Sequence, residues 1–294
     1  MYHRGKRLQS AMEYLMTYGW AILIIAVVLG ALFQLGIFNA STFTPKAPPG
    51  ACHVFRPNGP YTTSFINTQG ICNGELPQYV AKSSSSVYAM GIPYKQQLYP
   101  STHVTVSFWI NTKIRNSGGW KNLVGNMAAY DICDNTGSYC IRDCCNYIYF
   151  SNFNSISGGF AYMPESLIND GAWHFVAGTN NGALLSLYAD GKPAGTTGTF
   201  VGSLRQGTNQ ITVGDYGGLS ASFANLQIYN TSLSANEIAA LYNEGIGGAP
   251  IALNSLIGWW PLNGDAKDYS GNNDNGVPNG LTFSSNWESG YSAP

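Results

Sequence analysis

The strongest structural signal in the chain lies at residues 172–192, which read AWHFVAGTNNGALLSLYADGK. Two short runs rich in aromatic, aliphatic and small residues, Ala172–Thr179 and Leu184–Ala189, have the length and composition of strands, and Asp190-Gly191 after them signals a tight hairpin turn. Similar short runs, separated by Gly, Asn, Ser and Pro, continue through the chain beyond residue 50. They predict further strands at Val104–Asn111, Tyr147–Phe150, Ile211–Val213 and Ala224–Tyr229.

Composition excludes two broad classes of protein. The 294 residues include 14 Lys+Arg and 15 Asp+Glu, giving a formal net charge of -1, and 45% are hydrophobic. A disordered chain would combine low apolar content with high net charge, and a nucleic-acid binder would carry a basic patch. We therefore expect a folded protein with no nucleic-acid partner. The length suits one large all-β domain with a smaller addition, or two modest domains.

The run Tyr14–Phe38 predicts a membrane-spanning helix. No Asp, Glu, Lys or Arg occurs between Glu13 and Lys46. At about 1.5 Å per residue, a helix of this length crosses a hydrocarbon core of about 30 Å. Basic residues before the run place the N-terminus in the cytoplasm and the remainder, from about Asn39, outside the cell. The alternative is a cleaved secretory signal peptide, which normally has a shorter apolar region and a small-residue cleavage site.

The segment directly before this run, Gln9–Leu15 (QSAMEYL), resembles the class III signal of archaeal pilins and archaellins. The resemblance implies cleavage before Gln9 and a mature subunit that self-assembles through its apolar helix into a surface filament. Glu13 would be the fifth mature residue, and the free N-terminal amine would pair with its carboxylate, which is costly to leave unpaired at the edge of hydrocarbon. Leu8 stands where the family usually has a small residue, so an uncleaved single-pass anchor is the alternative.

These features predict four segments. Residues 1–13 form a cytoplasmic basic segment with the signal-like motif, 14–38 the helix, 39–50 a stiff Pro-rich linker, and 51–294 a β-rich ectodomain. One helix is predicted in the ectodomain. It begins with a capping box at Ser234–Glu237 and ends at Gly245.

Several ectodomain motifs together resemble laminin-G-like domains of the concanavalin A type. They occur in the family's order and spacing across Thr102–Gly245, and they are Val106–Ile110 (VSFWI), the hairpin Ala172–Lys192 and the strand Ala224–Asn230 followed by Leu233–Ile238. The resemblance implies a mainly β jelly-roll sandwich of two antiparallel sheets. It also implies that the family's opening segment is here near the C-terminus, at Ile257–Asn272 (IGWWPLNGDAKDYSGN).

A sandwich without its first strand would have an open edge. We therefore predict that Leu256–Phe283 folds back as strands of the same sandwich, in permuted order. The alternative is a truncated second repeat, although fewer than about 40 residues rarely form a core of their own.

Calcium is the one cofactor that the sequence suggests. The family resemblance implies a calcium loop at Asp268–Asn272, and calcium prefers carboxylate and amide oxygens. The last strand has Ala224 and Asn225 where the family carries acidic residues. The alternative is an Asx-rich loop that bonds its own backbone. The candidate ligands are Asp265, Asp268, Asn272 and Asp274.

The six cysteines are an even number, which suits an oxidising extracellular compartment. Cys52 and Cys72 are a reasonable pair, whereas the pairing within the cluster Cys133, Cys140, Cys144 and Cys145 stays open. Zinc is the alternative, but the spacing lacks paired C-x2-C knuckles. Two N-glycosylation acceptor patterns begin at Asn39 and Asn230.

No catalytic residues are predicted. Retaining glycosidases need two carboxyl groups about 5–5.5 Å apart, and no Glu lies two or three residues from another acid on a predicted strand. His174 lies in the family's Trp-His strand, where histidine more often packs or forms hydrogen bonds than catalyses.

The resulting hypothesis is a membrane-anchored or pilin-like surface protein that presents a lectin-like sandwich to glycans or other cell-surface ligands. Exposed aromatic residues at Tyr94, Tyr99, Trp120 and Tyr130 would stack on sugar rings. The first alternative is a structural filament or envelope subunit without a specific ligand. The second is a glycoside hydrolase.

Overall fold

The computed structural model describes residues 18–30, 53–55, 66–69, 76–83, 88–113, 120–126, 138–154, 156–214, 219–292 and 294. The chain divides into two units, residues 1–45 and Lys46–Pro294. In the first unit, residues 18–30 form helix α1 with exposed apolar side chains. None of the helices in the described parts of the chain combines the length and apolar character needed to cross a membrane. Gln9, Glu13 and the linker lie outside the described residues.

The second unit is built from antiparallel strands. A separate pair is formed by β1 (His53–Phe55) and β2 (Ile66–Gln69). Sheet I contains, in spatial order, β16 (Val277–Pro278), β4 (Met90–Ile92), β13 (Ile211–Val213), β6 (Lys121–Asn126), β7 (Tyr139–Cys144), β8 (Tyr147–Phe153) and β9 (Gly158–Pro164).

Sheet II continues from β9 through a single paired position, Tyr162 opposite Thr196. Its order is β12 (Lys192–Thr199), β11 (Leu184–Ala189), β10 (Trp173–Asn181), β5 (His103–Thr112), β14 (Ala221–Tyr229), β3 (Val80–Ser83) and β17 (Leu281–Ser284), with β15 (Leu256–Trp260) also paired to β14.

The main sequence predictions about secondary structure are confirmed. Each of the six predicted strands lies within or overlaps an observed strand, and the fold is a mainly β sandwich of the jelly-roll type. Helix α2 (Ala235–Asn243) begins at the predicted capping box, in which the Ser234 hydroxyl accepts from the Glu237 N–H and the Glu237 carboxylate accepts from the Ser234 N–H.

The turn between β11 and β12 shows why its two residues are Asp and Gly. Asp190 and Gly191 both have positive φ, at 48° and 73°, as a two-residue hairpin turn with the twist of the flanking strands requires. A Cβ atom on Gly191 would also lie 2.9 Å from Cβ of Tyr242 in α2. The glycine therefore permits both the turn and the close approach of the helix.

The main core lies between the two sheets. Phe108 and Phe223 of sheet II pack there with their rings 6.1 Å apart, and Phe150 of sheet I joins the same cluster. A Cβ atom on Gly178 would lie 2.7 Å from the Phe150 ring, so this position of β10 has no room for a larger residue.

A second core covers the other face of sheet II. The Trp109 ring stacks on Tyr242 of α2 at 5.6 Å and meets the Tyr291 ring near the C-terminus at 5.7 Å. Burial on both faces explains why β5 is an almost continuous buried run instead of an alternating one.

Residues 256–284 contribute strands to both sheets. In sheet II, Trp260 lies opposite Leu226 of β14 and Thr282 lies opposite Lys82 of β3. In sheet I, Val277 lies opposite Gly91 of β4.

His174 of β10 contacts two carboxylates, one of them in the hairpin turn. Nδ1 of His174 lies 2.9 Å from Oδ2 of Asp190, and Nε2 lies 3.1 Å from Oδ1 of Asp170. The hydrogen bond to Asp190 raises the pKa of His174 above its ordinary value, and partial burial opposes that shift.

We expect the free energy of unfolding to fall as the pH rises above about 6.5. The folded-state pKa of His174 lies above its unfolded value of about 6.5, so the contribution of the protonated ring is complete below that pH and is lost as the pH rises through the folded-state pKa. The loss should not exceed about 1 kcal/mol, because Asp190 and Asp170 are partly exposed. Urea denaturation between pH 5.5 and 9 measures it. His174→Gln should flatten this component of the profile, and the control His103→Gln should keep it; a profile unchanged in His174→Gln would contradict the assignment.

Candidate functional site

A cluster of aromatic side chains lies on the outer side of sheet I. Alternation along β8 places Tyr147 and Tyr149 on this side, whereas Ile148 and Phe150 point into the core. In β9 the same period exposes Phe160 and Tyr162. Together with Trp120, which precedes β6, these residues form what we call the aromatic face: Trp120, Tyr147, Tyr149, Phe160 and Tyr162.

Strand register brings these rings into contact. Tyr149 lies directly opposite Tyr162, and their ring centroids are 5.8 Å apart. The Tyr147 ring meets Tyr162 edge to face at 5.3 Å, and the Trp120 ring meets Tyr149 at 5.2 Å. Tyr147 and Tyr162 are each 39% exposed and Phe160 is 43% exposed. The face is therefore a cluster of neighbouring, partly exposed aromatic rings, three of which are tyrosines.

Arg142 of β7 lies against two rings of the aromatic face. Its guanidinium carbon lies 3.8 Å from the centroid of the Trp120 ring and 5.8 Å from that of Phe160, within the range of cation–π attraction. Burial lowers the pKa of Arg142 to about 10, so the side chain remains a cation at neutral pH. A cation therefore lies against two rings of the face.

The turn between β7 and β8 lies at one end of the aromatic face. Cys145 and Asn146 both have positive φ, and a disulfide joins Cys145 to its neighbour Cys144, which lies opposite Tyr147 in the ladder. Cys140 is also disulfide-bonded. Cys52, Cys72 and Cys133 lie outside the described residues, so the predicted pair Cys52–Cys72 stays a prediction.

Two carboxyl groups meet behind this turn. Asp143 of β7 is 1% exposed, and its pKa is raised to about 7 by burial and by the adjacent Glu165 carboxyl, with Lys121 opposing the shift. Glu165 begins the 3₁₀ turn Glu165–Leu167, and its backbone N–H donates to the carbonyl oxygen of Asn146 at 3.0 Å. Sequence spacing did not reveal this pair, because the two residues are brought together only by the pairing of β7, β8 and β9.

The predicted calcium ligands in the loop Asp265–Asp274 form hydrogen bonds within the protein. Asp268 is fully buried, and both of its oxygens already accept hydrogen bonds. Oδ1 accepts from the backbone N–H groups of Trp259 and Ser270, and Oδ2 accepts from the Ser270 hydroxyl and the Asp274 N–H.

The other candidate ligands also have partners within the protein. Asp265 accepts from the Tyr269 hydroxyl, the Asn272 amide donates to the carbonyl oxygen of Ile257, and Oδ2 of Asp274 accepts from Gln97. Within the described ranges, no three His, Cys, Asp or Glu side chains group in a way that could hold a metal ion. The hydrogen bonds to Asp268 resemble the Asx-rich alternative, whereas Oδ1 of Asp274 is buried without a partner among the described residues. The calcium site stays a prediction.

Asn225 belongs to the same polar network. Its Oδ1 atom accepts from Trp259 Nε1 and Gln227 Nε2, and its amide donates to the carbonyl oxygen of Gly248. The position that carries an acid in the family is here a hydrogen-bonding residue that ties β14 to β15.

The other residues predicted from the sequence have different outcomes in the structure. Trp120 belongs to the aromatic face, and Tyr94 is 38% exposed. The prediction that Tyr99 is exposed is wrong, because its ring packs on Tyr94 and its hydroxyl bonds the carbonyl oxygen of Asn209. Asn230 is exposed, whereas Tyr130 and Asn39 lie outside the described residues.

The aromatic face was only partly predicted from the sequence. Its signal is the spacing of Tyr147 with Tyr149 and of Phe160 with Tyr162, since aromatic residues two positions apart share one side of a strand. The predicted strand Tyr147–Phe150 contained the first pair, but nothing local showed that this side of the strand faces outward.

Comparison with known families supports a lectin-type sandwich. Residues 85–239 match a laminin-G-type family model described as the concanavalin A-like lectin/glucanases superfamily. The match covers more than half of the chain, and the protein belongs to this family. Comparison with curated protein sequences gives no significant match.

One solved structure shares the fold at low sequence identity, and two others are similar over shorter parts of the chain. A candidate carbohydrate binding protein from Bacteroides ovatus superposes with a TM-score of 0.53 at 13% identity, over 71% of this chain and 60% of that protein. The botulinum neurotoxin serotype D binding domain gives a TM-score of 0.43 at 15% identity, over 55% and 42%. The type G receptor binding domain gives 0.40 at 11%, over 48% and 37%. The chain thus spans less than two thirds of each of these proteins.

We expect Asp268→Asn to lower the free energy of unfolding by about 2–4 kcal/mol. The amide replaces an oxygen that accepts two hydrogen bonds with an NH₂ group that faces two donors in a buried site. Asp265→Asn is the matched control in the same loop, with an expected change of about 0.5 kcal/mol or less because Asp265 is partly exposed. Urea denaturation at pH 7 measures both, and equal effects of the two substitutions would contradict the structural role of Asp268.

Proposed function

We propose that this protein binds carbohydrate on the aromatic face and displays that face at the cell surface. The observation that carries the proposal is the row of half-exposed rings formed by Tyr147, Tyr149 and Tyr162. An exposed cluster of aromatic rings is costly in water and marks a binding surface. Aromatic rings pack against the C–H groups of a sugar ring, and their hydroxyls bond its polar edge.

The family match and the fold shared with the Bacteroides protein support a carbohydrate ligand. The shape and charge of the aromatic face favour an uncharged sugar. Arg142 is held against the rings of Trp120 and Phe160, so its guanidinium is engaged with the protein's own aromatic groups. Recognition would then depend on ring stacking and hydroxyl contacts, and the function would be binding without turnover.

Display at the membrane is supported by the N-terminal sequence. The run Tyr14–Phe38 is long enough to cross a bilayer, and the described part of it, residues 18–30, is a helix with exposed apolar side chains. The motif Gln9–Leu15 supports a pilin-like subunit that self-assembles through this helix. The uncleaved single-pass anchor remains the alternative because of Leu8.

We expect the full chain to bind neutral glycans on an array. Tyr147→Ala and Tyr162→Ala should each weaken binding at least about tenfold, since each removes a ring from the stacking surface. Tyr162→Phe should retain most of the affinity if the ring provides the contact. The detergent should carry no sugar headgroup, because such a headgroup would compete.

Tyr94→Ala is the matched control for this experiment. Tyr94 is as exposed as Tyr147 but follows β4, four strands away from β8 in sheet I, and its substitution should leave binding unchanged. An array without any bound glycan, or equal losses in the Tyr94 and Tyr162 variants, would contradict the proposal. Release of reducing sugar from a bound glycan would instead identify a hydrolase.

We expect the full chain to remain in the membrane fraction after an alkaline carbonate wash. Ile25→Lys should release part of it, because a charge near the centre of an apolar span is costly. Sequencing the mature N-terminus then separates the two modes of display: Gln9 identifies a filament subunit and Met1 an uncleaved anchor. Recovery of the unaltered chain in the wash would contradict both.

A further inference from the structure

The turn between β7 and β8 combines an unfavourable backbone conformation with a covalent constraint. Cys144 lies opposite Tyr147, so the turn itself consists of Cys145 and Asn146. Both turn residues have positive φ, at 57° and 71°. Two-residue hairpin turns of this kind favour glycine, asparagine or aspartate. Asn146 fits this preference, and its carbonyl oxygen also accepts from the Glu165 N–H. A cysteine at positive φ is uncommon because its Cβ atom crowds the backbone.

The disulfide between Cys144 and Cys145 offsets this unfavourable conformation. Joining the side chains of two sequence neighbours closes a small ring that includes the peptide bond between them. Such a ring leaves both residues few backbone conformations, in the unfolded chain as well as in the folded one. The covalent bond therefore holds Cys145 in the left-handed region without a glycine. Once the bond is broken, backbone sterics favour negative φ at Cys145, and the turn loses its conformation.

The conformation of this turn sets the position of Tyr147 in the aromatic face. Tyr147 lies opposite Cys144 on one side and Pro164 on the other, and Pro164 has no backbone N–H to donate. The backbone of Tyr147 therefore depends on its pairing with Cys144. The Tyr147 ring meets the rings of Tyr162 at 5.3 Å and Tyr149 at 6.3 Å, and a change in the turn would separate it from both.

We propose that the Cys144–Cys145 disulfide is a redox-sensitive element, and that its reduction by a dithiol displaces Tyr147 from the aromatic face. Cys145 is exposed, so a thiolate can reach its sulfur, whereas Cys144 is only 2% exposed. The first thiolate of the dithiol attacks the Cys145 sulfur and displaces Cys144 as a thiolate. The second thiolate then attacks the mixed disulfide, releases Cys145 and closes the dithiol into a cyclic disulfide. Two electrons and two protons pass from the dithiol to the protein.

The consequence for ligand binding rests on the proposed carbohydrate-binding function. Tyr147 provides one of the stacking rings, so its displacement should weaken binding of a glycan. The domain should remain folded, because neither Cys144 nor Cys145 belongs to the core between the sheets or to the second core on sheet II. The oxidised form is then the binding form, which suits display in an oxidising compartment outside the cell.

Hydrogen exchange of the full chain tests the turn directly. Peptide mapping of the unreduced protein should first show Cys144 joined to Cys145. We then expect reduction with dithiothreitol to speed amide exchange in the peptide that contains Tyr147 at least about tenfold, because the end of the hairpin opens. A peptide from β10 should exchange at an unchanged rate, which distinguishes opening of the turn from unfolding of the domain.

Two double variants separate this disulfide from the others in the chain. Cys144→Ala with Cys145→Gly removes the bond but supplies a glycine, which adopts positive φ without steric cost. This glycine variant should exchange slowly at Tyr147 both with and without dithiothreitol, although the Cys140 disulfide remains reducible. Cys144→Ala with Cys145→Ala has neither the bond nor the glycine, and this alanine variant should exchange fast without any reductant.

Four outcomes would overturn the proposal. The first is a disulfide that joins Cys144 to a different cysteine. The second is reduction that leaves exchange at Tyr147 unchanged, or that speeds exchange in β10 equally. The third is a glycine variant that responds to dithiothreitol as strongly as the unaltered chain. The fourth is equal exchange in the glycine and alanine variants, because the turn would then not depend on the backbone conformation at residue 145.

An array of neutral glycans separates this proposal from the carbohydrate-binding function. If glycans bind, reduction should weaken binding by the unaltered chain about three- to tenfold and leave binding by the glycine variant unchanged. Glycan binding that resists reduction overturns control of the aromatic face by the disulfide. If no glycan binds, the carbohydrate-binding function fails, while the exchange rates still decide whether the disulfide controls the position of Tyr147.

Discussion

Burial of sheet II on both faces is the constraint on which the rest of the domain depends. Phe108 and Phe223 pack toward sheet I, while Trp109 packs the other way, against α2 and Tyr291. A sheet buried on both sides needs a cover for each, and here the cover on the outer side comes from segments that follow β14 in the chain. The C-terminal residues therefore belong to the stability of the domain, since the Trp287 ring packs on Trp173 and its indole N–H bonds the carbonyl oxygen of Pro77.

Sheet I differs because no helix in the described part of the chain covers its outer side. Strand β9 consequently alternates strictly between buried and exposed residues, in contrast to β5. Aromatic residues occupy the exposed positions, where an ordinary soluble sheet would carry polar ones. Neither Phe160 nor Tyr162 contributes to the core between the sheets, so both rings are available to the ligand proposed above.

The low content of charged residues has a structural counterpart. Where acids are buried, as at Asp268, backbone N–H groups and a hydroxyl satisfy them without any cation. The side chain of Asn225 likewise forms hydrogen bonds with buried polar groups, because its oxygen accepts two and its amide donates one. Asp143 and Oδ1 of Asp274 depart from this pattern among the described residues, and Asp143 lies next to the turn at the end of the aromatic face.

The sequence by itself determined the strands, the capped helix and the family, because these depend on local periodicity, turn residues and motif order. Asp190-Gly191 and Ser234–Glu237 form the predicted turn and cap. The sequence also showed that Tyr147 and Tyr149 are two positions apart and therefore share one side of a strand. Which side of a strand faces water depends on what covers the sheet, however, and that was decided only by the tertiary packing of α2 and the C-terminal residues on sheet II. Tyr99 was misassigned because its ring packs on Tyr94 and joins the core between the sheets. The contact of Asp143 with Glu165 was not foreseen, because it follows from the pairing of three strands and has no local spacing in the chain.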